Sequence, residues 1–395
     1  MLPPHHWILS VAFASLQDDG SGRHSCNISF HINHLSFHIF FHLSPHFSTI
    51  THCRLSTVYY IYGMDLFTKI DIPAADWQID YTSRLVFLGS CFADNISTQF
   101  ARHKFHVLAN PFGTVYNPIS LARQIKAIAS QKVFEEKDVF QDKRSDGLWH
   151  CWDAHSSLSA KSCEECISKL NAAVTRTREY LFEAKGVFIT LGTAFVYARR
   201  DSGEVVANCH RQDASLFTRR MISVEEAAEA LGNIVRDLRK INEDLHIVFT
   251  VSPLRHLGDG AHQNTLSKAT LQMAIKSHAT SSYFPSYEIV MDELRDYRFY
   301  DSDLIHLSST AEEYIFERMA ESFCSETTRE NISKVDKFLK NARHRVGDSQ
   351  HSSTLSFAQK NLAQAATLEK QIRGLDLSDE KVYFNDIFNN TIQHF

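Results

Sequence analysis

Long apolar runs are missing from this sequence: none reaches the roughly 18 residues that a membrane-crossing helix needs. Charge of one sign is scarce as well. Lys and Arg number 41 against 46 Asp and Glu, a net charge of −5 with no basic stripe. Counterion-driven binding to nucleic acid or to an anionic membrane surface needs clustered cations, so neither partner is expected. Cysteine is sparse and irregular, eight in 395 residues, which excludes a dense disulfide framework and makes a reducing, cytoplasmic setting the expected location. Cys163-x-x-Cys166 has no second pair at ligand spacing and sits on a helical pattern running to Leu181, so it reads as neither a zinc knuckle nor a redox motif.

The first 63 residues lack something more specific: they contain no Lys and no Glu, yet hold nine of the 22 histidines. Their charged side chains are Asp18, Asp19, Arg23 and Arg54. Trp7 to Leu16 has the apolar character of a signal peptide, but no Lys or Arg precedes it. The tract His31, His34, His38, His42 and His46 has a composition suited to metal. The simpler reading is an upstream extension without regular structure or function, such as a start codon set too early would add. Ordinary composition begins at Met64. The expected organisation is therefore an extension over 1–63, one domain over 64–325, and a helical extension over 326–395.

What is present from Leu85 onward is alternation of strand and helix. Leu85–Leu88, Val187–Leu191 and Ile247–Val251 are short runs of β-branched, aromatic and leucine residues without a polar face, as parallel strands buried on both sides require. Each is expected to lead through a turn into a helix. Asn117 caps one helix with Pro118 at its first position; Ser223 with Glu226 forms a capping box for another running to Ile241. The fold class that follows is α/β, a three-layer doubly wound parallel sheet. After Ser325 the pattern is helical, with Leu362, Ala365, Ala366, Leu368 and Ile372 on one stripe. Ligands in such folds bind beyond the carboxyl ends of the strands, so residues just past each apolar run are where chemistry is expected.

The first such segment is Leu85-Val86-Phe87-Leu88-Gly89-Ser90-Cys91-Phe92-Ala93-Asp94-Asn95. A strand stops at a glycine and delivers two nucleophile candidates, Ser90 and Cys91, into a helix start, whose free N–H groups hold an oxyanion and favour a thiolate. Further blocks follow: Asn110-Pro111-Phe112-Gly113-Thr114-Val115-Tyr116-Asn117-Pro118, Leu148-Trp149-His150, His155-Ser156-Ser157, Leu191-Gly192-Thr193-Ala194, Asn208-Cys209-His210 and Thr250-Val251-Ser252-Pro253-Leu254-Arg255-His256. Gly89 to Ala93 is the string for which the GSCFA family is named, and the blocks, spread over roughly Trp77 to Phe323, resemble that family. It is in turn similar to SGNH (GDSL-like) esterases and acyltransferases.

Near the domain's end, Tyr300-Asp301-Ser302-Asp303-Leu304-Ile305-His306-Leu307-Ser308 carries a D-x-x-H spacing. On a loop entering a helix, that spacing lets Asp303 turn back on the His306 imidazole and fix its tautomer while the other nitrogen faces a nucleophile. SGNH enzymes use this spacing for the acid and base of a triad. Many relatives resemble His-Pro at the next position, where this chain has Leu307.

The resemblance implies an SGNH-type sheet. Overlaying Gly-Asp-Ser-Leu-Ala-x-Asn on Gly89 to Asn95 places Cys91 at the nucleophile and Ser90 at the usual Asp. It implies an oxyanion hole built from the nucleophile's own N–H, a glycine N–H after the second strand, which Gly113 fits, and an Asn side chain after the third. Gly192-Thr193-Ala194 offers no Asn there, so Thr193, Asn117 or Asn208 must substitute. His150, His155, His210, Arg255 and His256 are expected as substrate or acyl contacts. His210, His256 and His262 would supply three imidazoles to a metal, but at loose spacing. Ester chemistry of this type needs neither metal nor cofactor, and none is expected.

The function implied is an ester hydrolase or O-acyltransferase working through a covalent acyl intermediate on Cys91 or Ser90, with a small-molecule or carbohydrate ester as partner. The alternatives are an SGNH-like fold that binds without catalysis and, behind it, a metal-dependent phosphodiesterase.

Overall fold

The computed structural model describes residues 68–142, 146–277, 282–342 and 352–392, together with the backbone of four strands between residues 10 and 43. The chain divides into two compact units, Met1–Thr68 and Lys69–Phe395. In the first unit, expected to lack regular structure, His24–Ile32 instead pairs antiparallel with Ser10–Phe13, Gln17–Asp18 and Leu35–Leu43. The rest of 1–67 and the side chains of the histidine tract lie outside the described residues.

The second unit is α/β. Its sheet has five parallel strands: β1 (Arg84–Gly89), β2 (His106–Ala109), β3 (Gly186–Leu191), β4 (His246–Val251) and β5 (Ser282–Tyr283), in the order β2-β1-β3-β4-β5. The three apolar runs read from the sequence are the three central strands. All six residues of β3 are buried, which leaves no polar face to alternate. Successive side chains still divide between two cores. Val86, Leu88, Ile189 and Phe249 face one core, with helices α2 (Pro118–Ala129), α3 (Cys163–Phe182), α4 (Val224–Ile241) and α5 (Ala261–Lys276). Leu85, Phe87, Phe188 and Val248 face the other, with α1 (Cys91–Arg102) and α6 (Ser309–Phe323). In that second core Phe87 stacks on Phe188 at 5.1 Å between ring centres, an offset aromatic contact that adds about 1 kcal/mol to the area buried.

Helix starts follow the sequence signals. Asn117 Oδ1 accepts the Ser120 N–H at 2.8 Å ahead of Pro118, and Ser223 and Glu226 exchange both capping-box bonds, so α4 begins at Val224. Ser162 caps α3, placing Cys163 in its first turn; Cys166 is buried, with its thiol 3.6 Å from the Leu158 carbonyl.

Two further expectations are corrected. β3 does not lead directly into a helix. It leads into a three-stranded antiparallel sheet of Phe195–Arg199, Val205–Val206 and Phe217–Met221, and only then into α4. The cause is visible in Phe195-Val196-Tyr197-Ala198: Val196 and Ala198 are buried while Tyr197 is exposed, a period of two. The other correction concerns Ala366, which is exposed, one step off the stripe.

The remaining helices, α7 (Glu326–Ala342), α8 (Ser352–Gln371) and α9 (Ser378–Ile392), pack on the second core. Val335, Phe338, Ala365, Leu368, Ile372 and Phe384 are buried in the same cluster as Phe87 and Phe188, with Leu362 partly buried against it. No helix among the described residues is long and apolar enough to cross a membrane.

Candidate active site

The order of the sheet reverses between β1 and β3: after β1 the chain steps outward to β2, then returns past β1 to β3. The crevice beyond the carboxyl ends of β1 and β3 is where a fold of this kind offers room for a ligand. Gly89 ends β1 there with φ +121°, and a Cβ at that position would stand 2.0 Å from the Thr190 carbonyl oxygen of β3, so no side chain fits. Its N–H donates to Asn110 Oδ1 at 2.7 Å, and Asn110 Nδ2 donates to Asp94 Oδ1 at 2.8 Å. The Ser90 N–H donates to Thr190 O at 3.1 Å. These bonds fix the turn from β1 into α1.

The two nucleophile candidates emerge differently. Ser90 is the N-cap residue, 1% exposed, and its Oγ is buried without a protein hydrogen-bond partner. Cys91 is the first residue of α1 and partly exposed. Burial pushes the Cys91 thiol above its ordinary value, and the Asp94 carboxylate adds to the rise; the backbone N–H groups of Phe92 and Cys91 and the Lys268 charge oppose it. The helix start does favour the thiolate, as expected, but burial outweighs it.

The D-x-x-H pair is assembled. His306 Nδ1 lies 2.5 Å from Asp303 Oδ2, while Asp303 Oδ1 accepts the N–H groups of Ile305 at 2.9 Å and His306 at 2.8 Å. Leu304 takes φ +58° to close this turn. The bond from His306, joined by the two amides, holds the Asp303 carboxyl down at about 2. Both side chains are about half exposed, 52% for His306 and 48% for Asp303, on the loop that Ser308 caps into α6. Among the described residues no hydrogen bond joins this pair to Cys91. The charge of His306 acts on His256, whose ring meets that of Tyr116 edge-on at 5.7 Å, and Tyr116 in turn feels the charge of Cys91.

The supporting residues divide. His256, pushed down to about 4 by burial first and then by Lys268, is neutral beside Tyr116. Thr193 donates its N–H to Tyr116 O at 2.9 Å, and its hydroxyl lies 3.0 Å from Ser267 Oγ. Arg255 reaches the Met291 sulfur at 3.4 Å and is exposed. His155 packs on Gly113, where a Cβ would meet its Cβ at 2.2 Å, and its charge acts on Asp94.

Others are committed elsewhere. The Gly113 N–H donates to Asn110 O at 2.7 Å and is used inside its own turn. Asn117 is buried in its cap. Asn208 accepts the His210 N–H at 2.7 Å, and His210, buried and pushed down to about 4 by that burial, has Nε2 2.8 Å from Cys151 O. His210, His256 and His262 do not converge; among the described residues the one set of three such ligand atoms within 4.8 Å of each other is Asp142, Asp146 and His150.

Lys268 is a further residue of this region, outside every motif of the sequence. It is 1% exposed on α5, and its Nζ donates to Gly192 O at 2.6 Å and Ser252 O at 2.7 Å, the carbonyls just beyond β3 and β4. A signal was present: Lys268 shares a helical face with Asn264, Leu271 and Ile275, all buried.

The family model described as the GSCFA family matches residues 84–319, more than half of the chain. The chain belongs to the GSCFA family. The matched span of this GSCFA protein runs from the first residue of β1 through most of α6, so it includes Cys91, Asp303 and His306. No curated protein matches the sequence. Among solved structures the GSCFA chain is similar to an acetyl xylan esterase from the rumen bacterium Butyrivibrio proteoclasticus, at 12% identity and a TM-score of 0.31. That likeness covers 64% of this chain and 64% of the esterase, so the chain spans less than two thirds of that protein's length.

Proposed function

We propose that this protein cleaves or transfers an ester-linked acyl group, with Cys91 as nucleophile and Asp303 and His306 as the acid–base pair, on a sheet of SGNH-hydrolase type. The carrying observation is the Asp303–His306 hydrogen bond of 2.5 Å on a loop at the sheet end where Cys91 emerges from a turn that only glycine can form. Asp303 anchors Nδ1, which leaves Nε2 to accept a proton. In the reaction, His306 Nε2 takes the Cys91 thiol proton as Sγ attacks the acyl carbon. The oxyanion faces the free N–H groups of Cys91 and Phe92 at the start of α1. Collapse breaks the ester C–O bond, and His306 returns the proton to the leaving alcohol oxygen. Water or an acceptor hydroxyl then attacks the thioester with His306 as base, and the thiol is restored. The half-exposed loop must close on Cys91 for the first step, as catalytic hydrogen bonds often do only with substrate bound. Small esters, carbohydrate esters among them, are the substrate class proposed, with the protein in the cytoplasm.

Cys91 is preferred to Ser90 because the serine hydroxyl is buried and the thiol is partly exposed. The raised thiol, with no hydrogen bond to His306 among the described residues, favours a second reading, a fold that binds an ester-bearing ligand without turning it over. Hydrolysis of p-nitrophenyl acetate separates the two. Turnover that disappears in His306→Ala supports the enzyme; equal background rates for wild type and variant leave the binder.

A further inference from the structure

Lys268 is a lysine at 1% exposure whose hydrogen-bonded partners, among the described residues, are two neutral carbonyls and no carboxylate. Burying a cation without a counter-charge is costly, and a protein bears that cost where the charge has a use. The position identifies the use. Gly192 and Ser252 follow β3 and β4, β3 lies beside β1, and Thr190, two residues before Gly192, pairs with Gly89 and accepts the Ser90 N–H at 3.1 Å. The ammonium therefore lies under the same crevice into which Cys91 emerges. It carries three N–H donors, of which two are used by carbonyls.

We propose that Lys268 is the counter-charge of this site: its buried ammonium, held between the ends of β3 and β4, stabilises the negative charge that forms on Cys91 during attack. This rests on the reading of Cys91 as nucleophile and adds the group that makes its thiolate accessible. Lys268 is a positioning residue here, acting through Cys91. Before His306 takes the proton, no other charge facing the thiol fills this role. Asp94 is an anion on the same helix; Tyr116 is an acid whose ionisation is opposed by burial; His256 is kept neutral; His155 and His306 act on Asp94 and His256. Arg255 faces Lys268 and is exposed to water. The influence runs both ways, since burial brings the Lys268 ammonium down to about 7 and the charge of Cys91 supports it.

The test reads the thiol itself. Alkylation of the full chain by iodoacetamide is followed across pH, with Cys91 identified by peptide mass mapping, in wild type and Lys268→Met. The expected result is about a tenfold slower reaction of Cys91 in the variant below pH 7, where Lys268 carries its charge, with the two rates converging as pH rises through that value. A folded Lys268→Met whose profile overlays that of wild type, with only a lower melting temperature, would mean that Lys268 merely ties the two strands and would overturn the proposal. Should that variant not fold, the wild type still decides. A cation beside the thiolate favours anionic iodoacetate over neutral iodoacetamide, compared with the same ratio on glutathione; a ratio at or below that of glutathione counts against Lys268. The two readings fail separately. Absent acyl transfer with Lys268-dependent alkylation removes the proposed function alone, and acyl transfer on Cys91 that Lys268→Met leaves unchanged removes this inference alone.

Discussion

Asp303 grips His306 twice, at the imidazole Nδ1 through one carboxylate oxygen and at the backbone N–H through the other, at 2.5 and 2.8 Å. The imidazole therefore has one tautomer and one direction even on an exposed loop. Replacing Asp303 by Asn would keep the turn and remove the charge, and ester turnover should fall by about two orders of magnitude while the melting temperature changes little. A variant as active as wild type would free His306 from Asp303. The pH sign also follows. The carboxyl is lowered to about 2 when folded, so what it contributes to loop order is fully present above the ordinary aspartate value, about 3.9, and is lost as pH falls through about 2. An Asp303 carboxyl resonance titrating near 4 would contradict this.

The choice between neighbouring nucleophiles is decided by two variants. Cys91→Ala should abolish acyl transfer and the alkylation of this site, whereas Ser90→Ala should keep a measurable fraction of both. Intact-protein mass spectrometry after incubation with activated esters should find the added acyl mass on the peptide holding Cys91. An acyl group mapped to Ser90 would return the protein to serine-esterase chemistry.

Gly89→Ala tests the turn. A Cβ 2.0 Å from the Thr190 carbonyl, at φ +121°, forces β1 and β3 apart, and the expected loss is about 3 kcal/mol or more. Urea unfolding would read it; a midpoint within experimental error of wild type would show that the strands yield easily.

His210 sets a pH dependence of stability. Its folded value is lowered to about 4 by burial, against about 6.5 in the unfolded chain, so between these values the unfolded state binds the extra proton. Stability should rise with pH from 4 to 6.5 and be lost on acidification, and His210→Gln should flatten that slope in melting temperatures taken across the range. An unchanged slope would assign it to other groups, His256 first.

A chain beginning at Met64 should fold like the whole, because it keeps all of the second unit, Lys69–Phe395. Ile70 supplies both its N–H, to Glu293 Oε1 at 2.6 Å, and its carbonyl, to Arg318, closing a buried ion pair in which Arg318 is 5% and Glu293 0% exposed. A chain beginning at Trp77 leaves that pair short of two partners and should melt well below the chain from Met64. Equal melting curves for the two shortened chains, or a loss of more than a few degrees from removing 1–63, would refute the boundary.

β1, β3 and β4 were legible because a strand buried on both faces writes an uninterrupted apolar run, and Asn117 and Ser223 were legible because capping is local chemistry. β2 and β5 were not: they are edge strands of four and two residues, too short for periodicity to register. The Asp303–His306 contact could be read because three residues separate its partners, and the place of Cys91 because a glycine precedes its turn. Lys268 could not be read as a site residue, since its meaning depends on carbonyls 76 and 16 positions away in the chain. The same distance hid the use of the Gly113 amide and the role of Asn110, which braces Gly89 across 21 residues. Local signals show which groups are offered; long-range closure decides which remain available.

The share that α7, α8 and α9 have in the second core has a consequence for synthesis. A chain emerging from the ribosome completes β1 through α6, with Phe100 over Phe87 and Phe188, while the outer part of that cluster still awaits Phe338, Leu368 and Phe384. Until those late helices arrive, the nascent protein shows part of its second core to its surroundings, which is the kind of surface that holding chaperones bind. Shortened products ending soon after α6 would retain Cys91, Asp303 and His306 yet be prone to clump, so the yield of this protein in a cell depends on its last 70 residues being made.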